Sequence, residues 1–165
     1  MQELKTVKIC SMKALRQMLR SGEVDTDRSF AIISSSWPLD LPEDTGLRLH
    51  YECYDDLDYE VLGRTLTPEA AGRIARAVLE NSSTVQTWIF TCDSGLRRSA
   101  GVACACCRYW GMAREEKMIW GSAAYEPNPL VYELLCRQLK PVDALTLDLN
   151  IYTNRQAIKE TMRRK

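Results

Sequence analysis

One histidine, His50, and two phenylalanines are all that these 165 residues hold of either type. With a single imidazole and no second cysteine pair beside Cys104 and Cys107, a four-ligand zinc site has no donor set, and no metal is expected. Charge of one sign is not in excess either. Lys+Arg and Asp+Glu both count 22, so the net charge is zero and no bulk attraction to nucleic acid or anionic membrane follows. Long apolar runs, repeats and low-complexity stretches are missing. No segment reaches the length of a membrane-spanning helix, and Met1–Lys8 carries Glu3, Lys5 and Lys8, unlike a signal peptide. No basic tract or aromatic platform marks an RNA ligand.

What is present fits a soluble globular domain: 45% hydrophobic and 27% charged residues in a chain long enough for a core without disulfides. The seven cysteines are odd in number and uneven in spacing, and three of them (Cys104, Cys106, Cys107) crowd one expected helix. That is poor disulfide geometry, and a reducing cytoplasm is the natural setting.

The richest segment is Ile89-Phe90-Thr91-Cys92-Asp93-Ser94-Gly95-Leu96-Arg97-Arg98-Ser99-Ala100-Gly101. An apolar strand runs into a cysteine, and an arginine and a serine then open a helix of small residues. A loop closed between a strand end and a helix N-terminus turns its amides inward and favours an anion. The same field stabilises thiolate, which makes Cys92 a nucleophile near neutral pH. Arg98 brings the planar fork suited to phosphate. The backbone of Asp93, Ser94, Gly95, Leu96, Arg97 and Arg98 is the expected phosphate-binding loop.

Cys92, Gly95, Arg98 and Ser99 fit the Cys-x-x-Gly-x-x-Arg-Ser signature, and the run TCDSGLRRSAGVACA resembles the cysteine-dependent protein tyrosine phosphatases. The likeness is to their compact dual-specificity branch, small bacterial and phage members included, and is dense from Ser34 to Leu139. It implies that Cys92 attacks phosphorus, Arg98 binds the equatorial oxygens and Ser99 assists breakdown of a phosphocysteine. It also implies a general acid, an aspartate on a loop after an upstream strand. Asp56 falls at that place, with Asp55 and Asp58 as alternatives and an acidic solvated turn as the plain reading. Thr91 departs from the family, which has histidine before the cysteine. Arg97 departs by adding a second cation beside Arg98. Tyr125, Asn128 and Pro129 resemble a loop bordering the pocket in bacterial members, though helix capping explains Asn128 equally well.

The pattern of the chain predicts an α/β fold, one domain with a mostly parallel sheet flanked by helices. Strands are expected over Lys5–Cys10, Phe30–Ser36, Leu47–Tyr54 and Val85–Thr91. In the third, Leu47, Leu49, Tyr51 and Cys53 alternate with Arg48, His50 and Glu52, the period of a strand with one buried face. Helices are expected from Ser11 to Arg20, from Thr67-Pro68 with Ala71, Ile74, Ala75, Val78 and Leu79 inward, over Arg98–Trp110, and from Asn128-Pro129 through Leu139. Residues 1–141 make the catalytic domain, and 142–165 an extension with an alternating Leu145–Ile151 stretch and a basic helix over Asn154–Lys165.

These readings converge on a cytoplasmic phosphatase without cofactors, acting on phosphotyrosine and on phosphoserine or phosphothreonine. Its partner is a phosphorylated protein or a small phosphate ester, not nucleic acid or membrane, and it works as a monomer or weak homodimer. The alternatives are a catalytically weak phosphopeptide-binding module and a phosphatase of a non-protein substrate such as an inositol phosphate or an RNA 5′-phosphate.

Overall fold

Ser29-Phe30-Ala31-Ile32-Ile33-Ser34-Ser35 and Thr87-Trp88-Ile89-Phe90-Thr91-Cys92 lack the polar–apolar alternation of half-exposed strands, a pattern that requires cover on both faces. The computed structural model, which describes residues 5–42, 44–139 and 163, supplies that cover. Its elements run β1 (Thr6–Ser11), α1 (Met12–Arg20), β2 (Ser29–Ser35), β3 (Arg48–Cys53), α2 (Pro68–Asn81), β4 (Thr87–Cys92), α3 (Arg98–Tyr109), α4 (Ala113–Gly121) and α5 (Pro129–Leu139). The four strands form one sheet in the order β1-β4-β2-β3, and every pair is parallel. β2 and β4 take the inner places that their apolar sequences demand.

The helices divide unequally between the faces. On one face Met12 and Leu15 of α1 meet Ala31, Ile33, Leu47 and Ile89 in a small core. The other face carries the larger core, where Ile74, Ala75 and Val78 of α2, most of α3, and Val131 and Leu135 of α5 close over Ile32, Trp88 and Phe90. Trp88 is fully buried, its ring centroid 5.3 Å from Phe30 and 5.1 Å from Trp110.

Local signals set the helix starts. The Ala14 amide donates to Ser11 Oγ at 3.1 Å, and the Ala70 amide to Thr67 Oγ1 at 3.1 Å, so each cap satisfies a first-turn donor. Pro68 follows as the first helical residue of α2.

Two expectations need correction. The alternation in β3 does not sort into a buried and a solvated face: Glu52 is buried while Cys53 is exposed. β3 is an edge strand, and Arg73 of α2 closes on Glu52 with Nε–Oε1 at 2.6 Å, pulling the polar face inward. Leu79, expected inside, is 45% exposed because it lies past the stripe that meets the sheet. Helix α4 has no counterpart among the expected elements, since its core contribution is only Ile119 and Glu116. The extension over 142–165, its Leu145–Ile151 and Asn154–Lys165 elements included, lies outside the described residues apart from Arg163. No helix among the described residues is long and apolar enough to cross a membrane.

Because every strand points the same way, the loops after β1, β2, β3 and β4 gather at one edge of the sheet. An open parallel sheet makes its crevice there.

Candidate active site

Cys92 ends β4, and five residues later α3 begins. Arg97, the residue before α3, offers its first-turn amides no side-chain cap, so these donors face the loop's hollow. The loop can turn this tightly only with glycine at 95. Gly95 has φ +72°, and a Cβ there would stand 2.5 Å from Ser11 N and 2.6 Å from the Cys10 carbonyl carbon. The end of β1 thus abuts the loop directly.

The Cys92 thiol is buried, and Sγ lies 3.1 Å from Ser99 Oγ. Burial pushes its pKa up. The Ser99 hydroxyl, backbone hydrogen bonds from Ser99 and Gly95, and the Arg98 charge push harder the other way, and the net pKa is below the ordinary thiol value.

Arg98 is held from three sides. Nη1 donates to the Tyr54 carbonyl at 2.7 Å and to Ser36 Oγ at 3.0 Å, and Nη2 donates to Asp93 Oδ2 at 2.8 Å. Its Nε is buried and has no hydrogen-bond partner among the described residues. Asp93 in turn accepts from Ser35 Oγ at 2.6 Å and from the Ser36 amide at 3.1 Å. Its burial works against the charge, but the Ser35, Ser36 and Arg98 donors outweigh it and keep the carboxyl below its usual range.

The three aspartates after β3 have different fates. Asp55 turns to Arg64 (Oδ2–Nε 2.8 Å), and that guanidinium holds it below the usual carboxylate range. Asp58 pairs with Arg97. Asp56 accepts on one oxygen, Oδ1, from Asn128 Nδ2 at 2.6 Å and from Arg97 Nη1 at 3.3 Å, which brings it to the rim of the loop.

No protein-family model and no curated sequence matches the chain. Solved structures do. Human DUSP28 superposes with a TM-score of 0.57 at 18% identity, covering 84% of this chain and 94% of that one. PTPMT1 gives 0.56 at 17%, covering 87% and 95%, and the tyrosine phosphatase OH1 of Orf virus 0.51 at 13%, covering 82% and 83%. The chain has the fold of the dual-specificity and tyrosine phosphatases.

On this phosphatase fold the sequence-derived residues fall at one edge: Cys92 touches Ser99, Arg98 lies near enough for its charge to act on the thiol, and Asp56 is on the loop beside them. The side chain of Arg97 turns to carboxylates rather than into the hollow, and that of Leu96 is 49% exposed. Ser94 Oγ accepts from the Leu96 amide, bracing the turn. Thr91 is buried with its hydroxyl 3.4 Å from Cys10 Sγ on β1, so it ties neighbouring strands and is not a donor to Cys92. His50 sits 3.1 Å from Glu52 on the edge strand.

Asn128 bonds two segments at once. Its Oδ1 caps α5 by accepting from the amides of Leu130 (3.0 Å) and Val131 (3.2 Å), while Nδ2 reaches Asp56 and the Leu57 carbonyl. Ser36 and the Tyr54 carbonyl, which orient Arg98, had no signal in the sequence. All seven cysteines are free, and burial pushes Cys106 well above the ordinary thiol value and Cys107 to about 12. Among the described residues no cluster of His, Cys, Asp and Glu is arranged for a metal ion. A cavity of about 770 Å³ lined by Lys5, Val85 and Trp110 lies at the opposite edge of the sheet, away from this chemistry.

Proposed function

We propose that the chain hydrolyses phosphate monoesters, phosphotyrosine and phosphoserine or phosphothreonine of proteins, through a phosphocysteine intermediate in a reducing cytoplasm. The observation that carries this reading is the thiol with a lowered pKa under a ring of amides, beside an arginine whose buried Nε lacks a partner among the described residues. A phosphoryl oxygen satisfies that donor and the loop amides together. The phosphatase fold of DUSP28 and PTPMT1 supports it.

In the proposed sequence the Cys92 thiolate attacks phosphorus as the ester P–O bond breaks. Asp56, as the acid, gives its proton to the departing oxygen. Arg98 and the amides of Asp93 to Arg98 hold the three equatorial oxygens. The Asp56 carboxylate then takes a proton from water as that water attacks phosphorus, the S–P bond breaks, inorganic phosphate leaves and the thiolate is restored with the Ser99 hydroxyl donating to it.

Turnover of p-nitrophenyl phosphate and a phosphotyrosine peptide tests this. Cys92→Ser abolishes turnover. Asp56→Asn lowers kcat by about 10²–10⁴, the usual worth of a general acid, while Asp55→Asn, removing a carboxylate already ionised against Arg64, leaves it near wild type. Phosphate binding without Cys92-dependent turnover would instead make the chain a phosphopeptide-binding module.

A further inference from the structure

Arg97 precedes the proposed phosphate clamp, yet its guanidinium spans three carboxylates from two other loops. Nη1 lies 3.3 Å from Asp56 Oδ1, Nη2 bonds Asp58 Oδ1, and Nε stands 3.9 Å from Glu126 Oε2. Backbone bonds reinforce the same junction. The Arg97 carbonyl accepts from the Asn128 amide at 3.0 Å and the Leu96 carbonyl from the Glu126 amide at 3.0 Å. Three segments far apart in sequence, the loop after β3, the phosphate loop and the approach to α5, therefore meet on one side chain.

We propose that Arg97 is a positioning residue, a clasp that presents Asp56 to the leaving oxygen. This rests on the phosphatase reading above. Both donors to Asp56, Arg97 Nη1 and Asn128 Nδ2, fall on Oδ1, and Oδ2 accepts no hydrogen bond among the described residues. An oxygen already facing two N–H groups has no room for a proton, so the transferable proton rides on Oδ2. The clasp thus selects which oxygen is the acid and fixes where it points. The planar fork meets Asp56 and Asp58 through separate nitrogens set at a fixed spread, and lysine, a compact point donor, replaces that geometry only in part.

An acid-positioning role has a signature that a structural role lacks. A poor leaving group needs the proton, and a good one does not. With the full chain, Arg97→Ala and the longer, uncharged Arg97→Gln are expected to lower kcat on phenyl phosphate about 10-fold or more and to change kcat on 2,4-dinitrophenyl phosphate by less than about 2-fold. Arg97→Lys recovers part of the loss. In an Asp56→Asn background, Arg97→Ala has no further effect on either ester.

Equal losses on both esters, or a loss that persists without Asp56, would overturn the clasp. So would an unchanged leaving-group dependence with weaker inhibition by inorganic phosphate, which would make Arg97 a phosphate ligand. Absence of Cys92-dependent turnover in the wild type would remove the phosphatase reading and the clasp with it. Cys92-dependent turnover indifferent to Arg97 would remove the clasp alone.

Discussion

Ser99 faces Cys92 from the first turn of α3, and its hydroxyl is the foremost of the groups that offset the burial of the thiol. Ser99→Ala takes away a donor to the thiolate, which destabilises the charged form and raises the Cys92 pKa. The acid limb of kcat/KM is therefore expected to move to higher pH, and the pH dependence of iodoacetate inactivation to move with it; a limb that stays in place would assign the thiolate's stability to the amides and Arg98 alone. At this scale spacing is a good guide where partners are neighbours: Cys92, Arg98 and Ser99 are legible because they flank one short loop. The partners of Arg98 were not, because Ser36 and Tyr54 stand 62 and 44 residues away and meet it only through the sheet. Thr91 stands where the resembled family has histidine, but strand pairing aims its hydroxyl at Cys10, a matter of register that no local motif encodes.

Strand β1, the loop between Cys92 and Arg98 and helix α3 act as one block. Gly95→Ala puts a methyl carbon into the β1 backbone at Ser11 and Cys10, and neither side can yield as a flexible side chain would. A shift of the loop by about 1 Å is enough to lower kcat/KM about 10²-fold, with the far-UV circular dichroism of a folded protein; near-normal turnover would mean the loop has slack the structure does not show. Helices with caps at both readable positions, such as α1 after Ser11 and α2 after Thr67, were evident from sequence because the signal is local. α4 was not. Its buried Glu116 takes hydrogen bonds from Arg108, Trp120 and Tyr132, so a residue that reads as surface is a core polar hub, satisfied by partners on three helices. β3 misled in the opposite sense, since its tidy alternation is overridden by Arg73 reaching down from α2.

Over the whole molecule the two faces of the sheet contribute unequally, and the aromatic group around Trp88 anchors the larger side. Trp88→Ala removes a side chain packed against Phe30, Phe90 and Trp110 and is expected to cost about 3–5 kcal/mol by urea unfolding, a large part of a typical domain's stability. A loss under 1 kcal/mol, on the order of a surface substitution, would place the main core elsewhere. The strand order carries a further consequence. β4 is the last of the described strands in sequence yet lies between β1 and β2. Seating β4 is a long-range closure, and such closures come late and slowly in folding. The same event brings Gly95 against the end of β1 and so gives the thiolate its surroundings. Appearance of Cys92 reactivity during refolding should then time the final closure of the sheet, and a chain arrested before it, however helical, would carry an ordinary thiol.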